Sequence, residues 1–383
     1  MNVAIVVSWL NQYGGAERVL EAVHELLPQA PIYTSMFWPE AMPPDYRTWD
    51  IRVSWLDRLP FIHRHHQPFL PLYPLAFEGF DLSAYDVVLS ISSGFAHGVI
   101  TPPSTTHLCY CLTPSRFLWT YPVYAEREAI GPLANALLRP ILLWLRQWDR
   151  LAADRVDEFI AISTEVQRRI AKVYRRDSAL IFPPVDTGRF AQTAPAEDGD
   201  YFLVVSRLIP YKRVDLAVKA FTALKLPLLI AGDGRDRARL EALAGPNIRF
   251  LGRVPDAELP GLLARCRAFL FPGYEDFGIA PVEAQAAGRP VIAYAAGGAL
   301  DTVIEGVTGL FFREPTPEAL AEAVCRFNPR DFNPDVIRQH ARQFDKRVFQ
   351  RKLMALLEER GQSQGVWNSV PSGPSLYAAG RWS

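Results

Sequence analysis

The sequence predicts an α/β protein made of two doubly wound, Rossmann-like parallel sheets facing each other across a deep cleft. Three observations carry that reading: short apolar runs alternate with stretches of helical pattern, the alternation occurs in two successive series, and a stiff Phe182-Pro183-Pro184-Val185-Asp186 connector lies between them.

The first residues, Met1-Asn2-Val3-Ala4-Ile5-Val6-Val7, read as a buried strand, without the basic flank, long apolar core and small-residue cleavage site of a signal peptide. An amphipathic helix is expected at 16–27, and further buried strands at 32–35, 87–91, 108–111 and 159–162. Between them, Leu133, Leu137, Leu138, Ile141, Leu142, Leu145 and Trp148 recur at helical spacing. That stripe is expected to face the core, with docking on a membrane surface as the alternative. It is no membrane span: Arg139, Pro140 and Arg146 interrupt it, and no run approaches the roughly 18–20 apolar residues required. The second series places strands at 201–205, 228–231, 248–251, 268–271 and 291–294, with helices such as 214–224 and 236–244 between them. Two domains follow, 1–182 and 183–345, with a last helix at about 345–360 able to pack back on the first. Residues 361–383, rich in Gly, Ser and Pro, are expected to form a poorly ordered tail.

Composition narrows the function classes. The chain of 383 residues is 49% hydrophobic, and its 41 basic residues balance 41 acidic ones, so no global field recruits nucleic acid and any anion site must be local. Cys109, Cys111, Cys266 and Cys325 show no CxxC spacing, which argues for a reduced, cytoplasmic protein and against metal binding by these residues.

In open parallel sheets, ligands bind outside the carboxyl ends of the strands. After the strand at 268–271 comes Pro272-Gly-Tyr-Glu-Asp-Phe-Gly-Ile279, with Glu275 in the loop and Glu283 about one turn into the following helix. The amides of Phe277, Gly278 and Ile279 would lie at that helix start, where the macrodipole favours an anion. The acids could equally be a capping pair and a solvated helix residue. Glu283 has no obvious local cation. After the strand at 201–205 stands Ser206-Arg207-Leu208-Ile209-Pro210-Tyr211-Lys212, whose Arg207 and Lys212 could clamp a diphosphate or form a solvated surface pair. After the first strand, Gly14 and Gly15 would let backbone approach a ligand, or make only a tight turn. Neither this loop nor Gly232-Asp233-Gly234 completes a GxGxxG fingerprint, so nicotinamide and flavin are disfavoured. No metal-ligand spacing is present, and a metal-free site is expected.

The spacing of Glu275 and Glu283, Ser206-Arg207 with Lys212, Gly14-Gly15, and the late Gly297-Gly298 and Glu305-Gly306-Val307-Thr308-Gly309 together resemble retaining glycosyltransferases of family 4, which have the GT-B fold. The resemblance covers about residues 1–360. Residues 109–119 and the Phe182–Asp186 connector further resemble the O-antigen and exopolysaccharide mannosyltransferase subgroup. It implies an acceptor-binding first domain and a second domain that binds a nucleotide sugar, with no cofactor beyond that donor. Arg207 and Lys212 would hold the diphosphate, Glu283 the ribose hydroxyls, and Glu275 with the 277–279 amides the transferred sugar. Gly252-Arg253-Val254 would lie beside the base, and Gly14 and Gly15 would close the cleft.

The implied activity is retaining hexosyl transfer, best matched by mannose from GDP-mannose, to a glycan or lipid-linked acceptor in surface polysaccharide or glycolipid assembly. The rivals are a UDP-sugar donor, an epimerase or hydrolase on the same fold, or an inactive nucleotide-sugar-binding protein. One departure stands out: Leu112 occupies the position where the subgroup usually has His before Thr-Pro. Either His97 takes that role or no such side chain is needed, while His107 and His24 read as structural. The Arg58–Tyr73 segment, with His63, Arg64, His65 and His66 among aromatics and prolines, is open to three readings. It is a plain loop, a metal-binding His cluster, or a basic and apolar surface for a lipid-linked diphosphate at the inner membrane face.

Overall fold

The computed structural model describes residues 1–121, 132–191 and 199–363. Two all-parallel sheets organise them. The first contains β1 (Val3–Val7), β2 (Ile32–Thr34), β3 (Ile51–Val53), β4 (Val87–Ser92), β5 (Thr106–Cys111), β6 (Glu158–Ala161) and β7 (Ser178–Leu180), in the order β3-β2-β1-β4-β5-β6-β7. The second contains β8 (Phe202–Val205), β9 (Leu228–Ala231), β10 (Ile248–Gly252), β11 (Phe269–Phe271), β12 (Val291–Tyr294) and β13 (Gly309–Phe312), in the order β10-β9-β8-β11-β12-β13.

The central strands are buried along their length, as β1, β4, β5 and β11 are, because helices cover both faces of a doubly wound sheet. That burial makes them continuous apolar runs and hence visible in the sequence. The three strands not anticipated, β3, β7 and β13, all lie at sheet edges. Arg52 and Val53 of β3 are exposed and β7 is half-buried throughout, so neither carries a strong apolar signal.

In each sheet the strand order reverses beside the first strand, between β1 and β4 and between β8 and β11. The diverging connections open a crevice at each switch point. The loops after β1, β4, β8 and β11 are therefore the ones that can touch a ligand.

The helix Pro132–Ala153 corrects one expectation. Leu142 and Leu145 are buried, but Leu137 is 67% exposed and Ile141 36%, so the stripe is divided between core and solvent. The side chain of Leu133 lies outside the described residues. Trp144, three residues past Ile141, and Leu151, two turns further on, are also exposed and extend the outward row.

Past β13 the chain returns to the first sheet through the helix Lys346–Ser363. Gln350 donates to the Ala22 carbonyl at 3.0 Å, Arg360 pairs with Glu158 at 2.5 Å, and the Phe349 ring meets the Tyr110 ring edge-on at 5.5 Å. Residues 364–383, most of the expected tail, lie outside the described residues. At the crossover, Phe182, Phe277 and Phe344 form a triangle with ring centroids 5.1–5.7 Å apart. This cluster joins the cleft loop after β11 to the connector.

Phe349 is 2% exposed and ties the last helix to the first sheet. Phe349→Ala is expected to cost about 3–5 kcal/mol. Urea denaturation would register this as a lower midpoint with an unchanged slope.

Candidate functional site

Three close glycine contacts shape the loops of the second domain. Gly232 has φ +135°, and a Cβ there would lie 1.8 Å from the Ser206 carbonyl oxygen; at Gly234, φ +158°, it would lie 2.3 Å from that of Leu208. The Gly-x-Gly that fails as a dinucleotide fingerprint thus lets the loop after β9 press against the loop carrying Ser206 and Arg207. A Cβ on Gly298 would sit 2.2 Å from the Phe277 Cα, and the Gly298 amide donates to the Glu275 carbonyl at 2.9 Å.

Between these supported loops, the Lys212 ammonium pairs with the Glu275 carboxylate. Their side chains are only 16% and 17% exposed. Lys212 also lies over the Tyr211 ring at 5.3 Å, and Arg207 approaches the Tyr211 hydroxyl at 3.5 Å. From the first domain, Arg116 covers the same ring at 5.5 Å. Arg207, Lys212 and Arg116 therefore converge around one tyrosine, an arrangement suited to a diphosphate. Arg116 lies in the 109–119 stretch that carries the subgroup resemblance, but it was not anticipated as a site residue.

Beyond them, Gly278, φ +99°, caps the helix Ile279–Ala286 and leaves the amides of its first turn without intrahelical partners. The Phe277 side chain is buried, so only its backbone is available to a ligand. Asp276 does not cap this helix; it is clamped by Arg116 and Arg169 of the first domain.

Glu283 corrects the expectation of a carboxylate without a cation. Its side chain is 6% exposed and accepts from Arg18 Nη1 at 2.7 Å, across the cleft. Burial pushes the Glu283 carboxyl up, while Arg18 pulls it down. The signal for Arg18 was present in Gly14-Gly15-Ala16-Glu17-Arg18, one helical turn past the glycines. Gly15 itself approaches the second domain so closely that a Cβ would lie 3.3 Å from Ile279 Cδ1. Arg253 is exposed and Val254 half-buried in the turn that follows β10.

His97 is not presented to the cleft. It is 2% exposed, with Nδ1 3.1 Å from the Ser92 hydroxyl and Nε2 3.5 Å from the Asp149 carboxylate, walled by Trp148 and Tyr174. A side chain so enclosed cannot touch an acceptor. His107 is likewise buried, against Ser90, and burial lowers its pKa to about 3. His24 packs on Trp49 at 4.1 Å. In the Arg58–Tyr73 segment, His63 binds Asp57 at 2.8 Å and His66 packs between Trp9 and Tyr73, so the histidines do not converge. Among the described residues no group of three or more His, Cys, Asp or Glu is placed to hold a metal ion.

Residues 187–343 match the glycosyl transferases group 1 family. An uncharacterized glycosyltransferase of Methanocaldococcus jannaschii is 24% identical over 55% of this chain and 60% of its own length. A GDP-mannose-dependent alpha-mannosyltransferase of Mycobacterium tuberculosis is 34% identical over 47% of this chain and 50% of its own. The chain thus spans about half to three fifths of these relatives. Among solved structures, sucrose-phosphate synthase from Thermosynechococcus elongatus superposes with a TM-score of 0.74 at 19% identity, covering 95% of this chain and 100% of that one. Anabaena Alr3699/HepE in complex with UDP superposes at 0.67 and 17%, covering 94% and 100%. At those identities the likeness is one of fold.

The Arg18–Glu283 pair has a measurable consequence. Arg18→Ala leaves a buried carboxylate uncompensated and is expected to cost about 3 kcal/mol at pH 8. Glu283 has a folded pKa above its unfolded value, so its ionisation removes stability as pH rises, and the loss in Arg18→Ala should shrink toward pH 5. In urea denaturation, Arg18→Ala/Glu283→Gln should recover most of it.

Proposed function

We propose, for a chain that belongs to the group 1 glycosyl transferases and shares the GT-B architecture of two facing Rossmann-like domains, a retaining transfer of mannose from GDP-mannose to a glycan or lipid-linked acceptor. The observation that carries this reading is the Lys212–Glu275 pair, set beside Arg207 and opposite the Gly14-Gly15 turn at the switch points of the two sheets. Two kinds of group meet there: cations for a diphosphate, and carboxylates for the hydroxyls of a sugar and a ribose.

On donor binding, Lys212 exchanges Glu275 for phosphate oxygens, and Arg207 adds a second, forked contact. Both cations act where negative charge grows as the anomeric carbon–oxygen bond breaks, so they stabilise the transition state more than the bound donor. The freed Glu275 accepts hydroxyls of the transferred sugar and orients it, without forming a covalent bond to it. Glu283 accepts the ribose hydroxyls in place of Arg18, which couples nucleotide binding to the contact between the domains. Arg253 and Val254 lie toward the base. GDP-mannose is favoured over UDP-sugars by the named donors of the mycobacterial relatives.

A lipid-linked acceptor calls for contact with a membrane, and no helix among the described residues is long and apolar enough to cross one. The outward row Leu137, Ile141, Trp144 and Leu151 is a candidate peripheral surface, as is Phe61, which is 78% exposed three residues before Arg64. Co-sedimentation with anionic vesicles is expected for the wild-type chain and should fall in Leu137→Glu/Trp144→Glu. Equal partitioning of the two would remove the membrane contact from the reading.

Binding and chemistry can be separated. In a thermal-shift panel, GDP at a hundredfold excess over its dissociation constant adds about 2.7 kcal/mol of apparent stability and should exceed UDP. Glu275→Gln is expected to keep GDP binding and lose about 100-fold or more in transfer. A flat response to every nucleotide would overturn the donor site.

A further inference from the structure

Two adjacent acids of the loop after β11 hold cations from opposite sides of the cleft. Glu275 takes Lys212 of the second domain, and Asp276 takes Arg116 of the first. The donor chemistry above uses the first of these cations and leaves the second without a task. Arg116 nevertheless lies over the Tyr211 ring at 5.5 Å, and Lys212 lies over the same ring at 5.3 Å. Arg207 completes the group, 3.5 Å from the Tyr211 hydroxyl.

The first domain mounts Arg116 on a fixed turn. After β5 the chain runs through Leu112, Thr113, Pro114 and Ser115 into the short helix Arg116–Trp119. Ser115 is buried, and its hydroxyl lies 3.3 Å from the Gly94 carbonyl oxygen and 3.4 Å from Asp149 Oδ1. Trp119 donates from Nε1 to Asp149 Oδ2 at 2.7 Å, and the Leu118 carbonyl accepts Arg146 Nε at 2.7 Å. The wholly buried Asp149 thus anchors residues on both sides of Arg116. The Arg116 backbone is set, while its side chain, 32% exposed, retains room to turn.

Asp276 has a second partner, which decides which cation can leave it. Arg169 donates from Nη1 to Asp276 Oδ1, and it also meets Glu165 at 3.1 Å, the Thr113 hydroxyl at 3.0 Å and the Tyr274 ring at 5.4 Å. Arg116 has no such set. Among the described residues Asp276 is the one carboxylate paired with it, and its buried Nε has no hydrogen-bond partner. A buried N–H left open lowers the cost of giving up the present arrangement. When Arg116 departs, Arg169 still neutralises Asp276, so no buried charge is stranded.

We propose that Arg116 is a donor-binding residue supplied by the first domain, held by Asp276 in the empty site and released to the diphosphate of the donor. The proposal rests on the donor-site reading above and adds a residue to it. On arrival of a nucleoside diphosphate, Arg116 gives up the Asp276 oxygen and turns its fork onto phosphate oxygens beside Arg207 and Lys212. A diphosphate carries more charge than a carboxylate and accepts a guanidinium bidentately, which favours the exchange. Because Arg116 belongs to the opposite domain from the other two cations, the bound diphosphate ties the domains together. The same contact strengthens as the bond to the sugar breaks and charge collects on the leaving group.

The test measures dissociation constants of GDP and UDP by calorimetry on the full chain, with urea denaturation confirming that each variant folds. Arg116→Gln, which keeps a donor for Asp276 but no charge, should weaken nucleotide binding about tenfold or more, and Arg116→Lys should recover part of the loss. Asp276→Asn frees Arg116 and should tighten binding about threefold. In the Arg116→Gln background the same Asp276→Asn change should shift the constant by less than about twofold, because the cation it would free is gone. A purely structural tie between the domains predicts effects of one sign, since breaking it from either side loosens the same contact. Arg116→Gln binding within about twofold of the wild type overturns the proposal and leaves the donor site standing. Weakening by Asp276→Asn, or equal tightening by it in both backgrounds, overturns the proposal as well. A wild type that binds neither nucleotide overturns the donor site and this proposal together.

Discussion

A carboxylate withdrawn from water has to be answered by a cation, and in this chain the buried Glu283 is answered from the opposite domain by Arg18. Removing a carboxylate from solvent costs several kcal/mol unless it is paired and hydrogen-bonded, so the pair holds the helix Ile279–Ala286 against the turn at Gly14 and Gly15. Other contacts also cross between the domains. Asp276 takes Arg116 and Arg169, Tyr274 donates to Glu165, and Asp301 accepts the Thr164 amide and hydroxyl at 2.9 and 2.8 Å. In each of these, acids or their neighbours on the second domain meet first-domain groups at the mouth of the cleft. These ion pairs and hydrogen bonds define how the two domains meet.

Backbone geometry sets the other side of the site. The loops after β8 and β11 carry Arg207, Lys212 and Glu275, and they are supported from behind by Gly232, Gly234 and Gly298, where any side chain would collide with backbone. Gly273 does the same for Lys212, since a Cβ there would come within 2.9 Å of the Lys212 carbonyl oxygen. Cations and acids on flexible stems are thereby mounted on rigid turns, which lowers the ordering cost of a productive arrangement. At the corresponding switch point of the first sheet, the Glu17 carboxyl and the Ser8 hydroxyl are buried.

Legibility in the sequence followed burial. Strands covered on both faces, such as β1 and β4, declared themselves as unbroken apolar runs, whereas the edge strands β3 and β7 did not, being half-exposed and three residues long. The stripe on Pro132–Ala153 was misread as wholly core-facing because spacing shows that apolar residues share a side but not what lies against it; Leu145 meets the core and Leu137 meets solvent. His97 was misjudged for a similar reason. A histidine in a strand-end loop can point out or in, and here Asp149, from a helix about fifty residues later, draws it inward.

The sequence by itself determined two doubly wound sheets, the strand-end loops that matter, and the local pairs within them, because hydrophobic period, glycine placement and the separation of Glu275 from Glu283 are properties of short stretches of chain. Only the tertiary structure decided which charge meets which. Arg18 and Glu283 are 265 residues apart and Arg169 and Asp276 107, and no local pattern specifies a partner at such separations. Electrostatic pairing acts through space while sequence patterns act along the chain, so the cleft became readable only once the two sheets had been set face to face.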